Sequence, residues 1–295
     1  MAQAPDPRPA VGLRLDAEAA AAAVPALLIA AERLAASVDP GAHGLRRAGT
    51  GEEFWQYRPA APGDPAGLID WRRSARSDAA FVRERERQSP QAAALWVAGD
   101  PGMAWTGDPA RPLKRDRARL LGLALALVLV LGGERVAVGA DDARAGRLRA
   151  EALARDLLTA APDPLPPPGT LRPQRRVVLL GDFLGDPAPL ARFLAKAAAT
   201  GSRGVLMQVL DPAEESFPFA GALRFHAPGA GASRQNTRHE TRNATALRPA
   251  YLARLAERRA LLAQLAAEAR WQFGTHDTAA PPAGAVLWLA EALSA

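Results

Sequence analysis

Apolar and polar positions follow one pattern up to about residue 90 and a different one after it. In the first part, the Ala-rich stretch from Asp16 to Ala23 and "PALLIAAERLAASV" have helical spacing, with Leu27, Leu28, Ala31, Leu34 and Ala35 on one face. Pro25 is expected to break this helix and restart it, because proline suits a first helical turn. "GAHGLRRAGTGEE" is a glycine-punctuated loop, and the alternation in "EFWQYRP" predicts a strand.

From Gln91 onward, short continuous apolar runs alternate with longer helical stretches. The predicted strands are "AAALWVAG", "RVAVGA", "RRVVLLGDF", "RGVLMQVLD" and "WQFGTH". The predicted helices run from Pro112 to Leu131, Arg144 to Ala160, Ala188 to Thr200, Arg248 to Arg270 and Ala283 to Leu293. "APDPLPPPG" is a proline-rich surface connection, and the segment around "ALRFHA" reads as irregular. Continuous apolar strands are those of a sheet buried on both faces. Strands alternating with helices predict an α/β fold, a mostly parallel sheet with helices on both faces. Residues 1–90 are then an N-terminal helix and charged β extension, and residues 91–295 the α/β domain.

Of the 295 residues, 48% are hydrophobic, enough for a full core, and there is no cysteine. Disulfides, thiol nucleophiles and Cys-ligated zinc are therefore excluded. The apolar run from Leu120 to Leu131 falls short of the roughly 20 residues a spanning helix needs. It is expected to be a buried core helix, and the N-terminus does not read as a signal peptide. A cytoplasmic protein with no transmembrane segment is expected, with peripheral association with a membrane complex left open. The formal charge is +6, and residues 1–90 are neutral, with twelve Arg and twelve Asp or Glu. The excess lies beyond, notably in "RPLKRDRAR". Lys114 and Lys196 are the only lysines. Aromatics make up 5%, with no interleaved basic–aromatic pattern, so no nucleic-acid partner is expected.

In an open α/β sheet, ligands bind outside the carboxyl ends of the strands. Asp100, the pair Asp141 and Asp142, Asp182 and Asp211 follow successive predicted strands. Such acids either cap the following helices or together hold a hard divalent cation. There is no Gly-rich phosphate loop, no His-Glu-x-x-His and no Gly-x-Ser-x-Gly elbow. The histidines His43, His226, His239 and His276 are scattered and read as surface or packing residues.

The stretch "GTGEEFWQYRPAAPGDPAGLIDWRRSARSDAAFVRERERQ" carries a recurring signature. It comprises Gly49, Gly51, Glu53 and Phe54; the turn Pro62, Gly63 and Asp64; Ile69, Asp70 and Trp71; Ser74, Ala75 and Arg76; and Val82, Arg83 and Glu84. "LDPAEESFPFAG", with Asp211 and Glu214, forms a second segment. Together they resemble the bacterial family catalogued as domain of unknown function 58, from about Gly44 to the C-terminus. The resemblance implies a fold similar to the von Willebrand factor A domain. It also implies a non-catalytic adaptor role, because family members are typically encoded near MoxR-type AAA+ ATPases. The expected partner is such an ATPase or its client protein.

Two departures stand out. Gly67 replaces the arginine usual in the family's turn. The A-domain metal motif, Asp-x-Ser-x-Ser, falls on Ala98, Asp100 and Gly102 when aligned on Met103. Asp100 and Asp182 are the remaining metal candidates in a degenerate site. No cofactor is expected, and Mg2+ is expected to bind weakly or not at all. The alternatives are a metal-dependent hydrolase using the acidic rim and a basic nucleic-acid-binding protein.

Arg83, Arg85 and Arg87 are expected on one face of a charged edge strand, since charge blunts edge pairing. Asp64, Asp70, Arg72 and Arg76 are expected to form a paired network around Trp71. That network either fixes the N-terminal layer against the sheet or forms a docking surface.

Overall fold

The computed structural model describes residues 8–38, 54–61, 69–75, 80–85, 92–143, 146, 149–159, 163–226 and 238–294. It opens with α1 (Arg8–Ser37), β1 (Phe54–Pro59), the short α2 (Trp71–Ser74) and β2 (Phe81–Arg85). The α/β part follows with β3 (Ala92–Val97), α3 (Lys114–Leu131), β4 (Arg135–Val138), α4 (Ala150–Thr159), β5 (Arg175–Gly181) and α5 (Pro187–Thr200). Next come β6 (Gly204–Leu210), α6 (Pro212–Ser216), β7 (Leu223–His226) and β8 (Arg238–Thr241). The described chain closes with α7 (Arg248–Glu268), β9 (Gln272–Asp277) and α8 (Pro282–Ser294).

Five parallel strands form the main sheet in the order β4-β3-β5-β6-β9. Alternate residues of the three central strands, β3, β5 and β6, enter opposite cores. Leu95, Val97, Val178, Leu180, Val205 and Met207 join one core, together with residues of α1, α3, α4 and α8. Ala94, Trp96, Val177, Leu179 and Leu206 join the other, against α5 and α7. Burial on both faces explains why these strands are continuous apolar runs rather than alternating ones. The expected α/β class, parallel sheet and two helical layers are all present, as are the N-terminal helix and a separate β ribbon.

Some elements differ from expectation. α1 is a single helix with Pro25 inside it, not two helices. Val24, Ala31, Leu34, Ala35 and Val38 are buried in the larger core. This packing on both sides of the proline outweighs the lost backbone donor. The region read as irregular contains α6 and an antiparallel pair, β7 and β8, with Leu223 opposite Thr241. Its few, mixed residues carry no period long enough to read. The apolar segment of α3 is buried from Leu121 to Val128, as expected. No helix among the described residues is long and apolar enough to cross a membrane.

β1 and β2 pair antiparallel, Tyr57 opposite Arg83 and Phe54 opposite Arg85, with a register irregularity between Phe54 and Gln56. They form a two-stranded ribbon separate from the main sheet. Among the described residues β2 pairs only with β1, so Arg83 and Arg85 lie on an edge strand. Gly63, Asp64, Arg76 and Arg87 lie outside the described residues.

Pro25 is exposed within α1. Replacing it with alanine restores a helix donor and should raise stability by about 1–3 kcal/mol in denaturant melts. No gain would mean that the helix bends there by design of its packing.

A cation-filled crevice at the strand switch point

The chain leaves β3 to form β4 on one side and then returns to place β5 on the other. In doubly wound sheets, the crevice between two such carboxyl ends is where ligands bind. Here Asp100 follows β3 and Asp182 follows β5, so both metal candidates flank the crevice.

The first residue of α3, Lys114, fills it. Its side chain is 1% exposed, and Nζ donates to Asp182 Oδ2 at 2.7 Å and to Glu214 Oε1 at 2.6 Å. The Trp105 ring lies 5.9 Å from Nζ. A cation in the first turn of a helix is opposed by the helix dipole. Burial also works against its charge, yet the Asp182 and Glu214 carboxylates outweigh it and hold the Lys114 pKa above its ordinary value. Burial pushes the Glu214 carboxyl up, with the ammonium opposing the shift. The half-buried Asp100 carboxyl is raised by burial and then by neighbouring Asp182. Asp100 makes no side-chain cap to the 3-10 turn it precedes.

Both paired carboxylates are held from behind by backbone. Leu184 N donates to Asp182 Oδ1 at 3.2 Å, and Asp211 N donates to Glu214 Oε2 at 3.0 Å. The second of these belongs to a capping box at α6, in which Asp211 also accepts from Ala213 N at 2.8 Å. Gln208 Nε2 donates to the Asp182 carbonyl at 2.8 Å. Arg259 in turn donates to Gln208 Oε1 at 3.3 Å and pairs with Glu215.

Asp211 is the best-satisfied acid of the rim. Arg111 donates to both of its oxygens at 3.2 Å, and the Thr106 and Thr278 hydroxyls donate to Oδ2 at 3.2 and 3.3 Å. Burial opposes its ionisation, but the Ala213 and Gly107 N–H groups and Arg111 outweigh it and lower its pKa. Gly107 is required here because a Cβ would lie 2.7 Å from Asp211 Oδ1 and 2.5 Å from Ala213 Cβ.

The remaining rim acids face elsewhere. Asp142 pairs with Arg172 at 2.7 Å, and the Asp141 carbonyl accepts from Arg175 at 2.5 Å. Asp141 lines an open cleft of 670 Å³ with Trp96, Asp156, Asp163 and the prolines from Pro164 to Pro168. The strand-end acids thus divide into a cap (Asp211), an ion-paired site (Asp182) and a separate cleft (Asp141). They do not converge on one ion, and the described residues contain no group of three or more His, Cys, Asp or Glu suited to a metal. Ala98 and Gly102 supply no side-chain oxygen, and the Lys114 ammonium already lies between Asp182 and Glu214. The residues as they stand do not fit Mg2+.

Lys114 and Arg111 were absent from the candidates drawn from sequence, where "RPLKRDRAR" read only as excess positive charge. The available signal was that an almost lysine-free chain places a lysine at the start of its most apolar helix, directly after its first core strand.

The signature segment has a local structure of its own. Asp70 caps α2, accepting from Arg73 N at 3.0 Å. Ser74 Oγ donates to the Asp70 carbonyl at 2.8 Å and accepts from Phe81 N at 2.9 Å, while Asp70 N donates to the Phe81 carbonyl at 2.9 Å. Arg73 lies over the Phe81 ring at 5.4 Å. These contacts fasten the helical turn to the start of β2. Trp71 is 64% exposed, the most exposed large apolar side chain among the described residues, so it is not a core residue. Arg72 beside it is also exposed.

A doubly wound α/β protein with a protein-supplied cation at its switch point is thus the class that fold and site define. Residues 56–261 match the family described as a protein of unknown function, DUF58, and the chain belongs to that family. No curated protein matches the chain. Two solved structures are similar to it, each covering 69% of this chain and 98% of its own. One is an aerotolerance-related membrane protein from Bacteroides fragilis with multiple mutations to serines, at 12% identity and a TM-score of 0.40. The other is the conserved hypothetical protein BatB from Bacteroides thetaiotaomicron, at 14% identity and 0.39. The fold described above rests on the strand order and not on these likenesses.

Lys114→Met should lower stability by about 3–5 kcal/mol in denaturant melts, since it strands two buried carboxylates without their cation. A loss below about 1 kcal/mol would mean that water already reaches the pair.

His276, on β9, is buried, and its Nε2 has no hydrogen-bond partner among the described residues. Burial and then the Arg117 guanidinium push its pKa down to about 4, with Asp277 opposing. The folded state therefore binds a proton less well than the unfolded chain. Stability should be full above about pH 6.5 and fall as pH drops toward 4, by on the order of 3 kcal/mol. Melts of wild type and His276→Gln across this window should diverge by that amount. Parallel curves would show that the imidazole is not held neutral.

Proposed function

We propose that this chain is a non-catalytic binding protein, an accessory to a MoxR-type AAA+ ATPase or to its client. The exposed Trp71 is the observation that carries the reading. A helical turn fastened by four hydrogen bonds presents a bare indole beside an exposed arginine, within the segment that marks the family. Trp and Arg are the residue types most enriched at interface anchors, and a rigid support reduces the entropy lost on docking. The switch-point crevice supports the same reading from the other side. Among the described residues, Lys114, Asp182 and Glu214 are paired with one another there and Asp211 with Arg111, so these charges are engaged in structure rather than presented to a pocket. The association with a MoxR-type ATPase comes from the family resemblance, and a cytoplasmic site of action is part of the same proposal.

Trp71→Ala should change folding stability by no more than about 0.5 kcal/mol, as for an exposed site. It should weaken co-purification with the ATPase encoded beside the gene by about tenfold or more, the effect of an anchor worth over ~1.4 kcal/mol. A crosslinking pull-down from the native host that recovers no ATPase, or undiminished binding by Trp71→Ala, would overturn the proposal.

A further inference from the structure

We propose that the open cleft beside β4 binds an extended, arginine-bearing segment of a partner protein. Its walls are the turn that leaves β4, the last turn of α4, the start of α5 and the proline-rich segment before β5. None of Lys114, Asp182, Glu214 or Trp71 lines it, so it is distinct from the switch-point crevice and from the exposed indole. The edge strand β4 sends Val136 and Val138 into the first core but no residue into the second. On that second side the prolines, Trp96 and Leu165 border an open groove instead. At 670 Å³ it falls within the range of about 300–1,000 Å³ usual for ligand sites.

The lining of this groove is chemically one-sided. Asp141, Asp156 and Asp163 line it, with no lysine or arginine among the described lining residues. Nearby arginines are engaged elsewhere: Arg155 with Glu151, Arg172 with Asp142, and Arg175 with the Asp141 carbonyl. Asp156 stands in the last turn of α4, which holds no basic residue, so the negative end of the helix adds to its charge. Its half-buried carboxyl is held above its ordinary pKa by burial and then by Asp141, with Arg149 and Arg155 opposing.

Hydrogen-bond donors are scarce there as well. Pro164, Pro166, Pro167 and Pro168 have no N–H. Trp96 Nε1 already donates to the Asp163 carbonyl at 3.3 Å, the Thr159 hydroxyl to the Arg155 carbonyl at 2.8 Å, and Gly139 N to the Leu95 carbonyl at 2.9 Å. What remains is mainly carboxylates and carbonyls, acceptors that match a ligand made of donors. Arginine is such a ligand, with five N–H donors, no acceptor and a weakly hydrated charge. Its stem, and an apolar neighbour in the same segment, would lie along Trp96, Leu165 and the proline rings. A bare cation would leave that apolar wall unused, whereas a peptide covers it. The prolines also hold their backbone in one conformation beforehand, which lowers the entropy lost on docking.

The test pans a random peptide library against the full chain, with the double variant Asp141→Asn and Asp156→Asn as the counter-target. Sequences retained by wild type alone should carry arginine beside apolar residues. One such peptide, made synthetically, should bind wild type and Trp71→Ala equally, which separates this site from the docking role of the indole. Its affinity should fall by about tenfold or more when citrulline, which keeps the shape and loses the charge, replaces its arginines. It should also weaken as salt is raised, because exposed charges are screened. The double variant should melt no lower than wild type, since it removes like charges that have no partner cation. If it does melt lower, Asp163→Asn serves as the counter-target, and the same sequences should be lost. The inference is overturned if no wild-type-specific sequences emerge or if those that do lack arginine. Full binding by the citrulline peptide, or equally tight binding of free arginine, would also overturn it.

Discussion

One positive charge under the carboxyl rim organises the parts that meet there. Lys114 begins the helix after the first core strand, Asp182 ends the third strand of the sheet, and Glu214 opens the helix after the fourth. Three separate crossovers are pinned to a single nitrogen. Buried ion pairs of this kind contribute little net stability over an apolar filling, but they penalise every arrangement that leaves one member unpaired. Their effect is on specificity: α3 and α6 have one register in which all three charges are matched. Asp211 extends the same logic outward, since its capping box holds Glu214 while Arg111 and two hydroxyls saturate its own oxygens.

The large-scale architecture was readable because burial on both faces leaves a plain mark, a short unbroken apolar run between helical stretches. β3, β5 and β6 carry that mark along nearly their whole length and β4 over its last three residues, whereas the edge strand β9 is mixed in sequence and mostly outside the core. The misreadings share a cause. Pro25 obeys a local rule that tertiary packing overrides, and β7 and β8 are four residues each, too short for any period. At the site, Asp100 and Asp182 were found because strand ends are predictable from strands. Lys114 was not, because nothing local distinguishes a buried ammonium from a solvated one. Only the fold, by bringing residue 114 to residues 182 and 214, shows what it neutralises.

The signature segment shows a different division between legible and hidden. Its charge alternation and its tryptophan stand out in sequence, but their roles separate only in three dimensions. Asp70 and Ser74 serve the backbone, capping a turn and fastening it to β2, whereas Trp71 faces solvent. A residue flanked by structural neighbours need not itself be structural.

The helix that opens the described chain sets a limit on how the family's matched region should be understood. That region, residues 56–261, excludes α1, the edge strand β9 and α8. Yet α1 and α8 supply two of the four helices that cover one face of the sheet, contributing Val24, Ala31, Leu34, Val286, Leu289 and Leu293 to its core. Removing them would lay bare an apolar surface spanning Leu125, Val205 and Met207, and would leave the backbone of β6 unpaired along one side. The stretch by which the family is recognised is therefore not a folding unit in this chain. A fragment cut to those limits would carry both an exposed core and an open sheet edge, the two features that drive self-association.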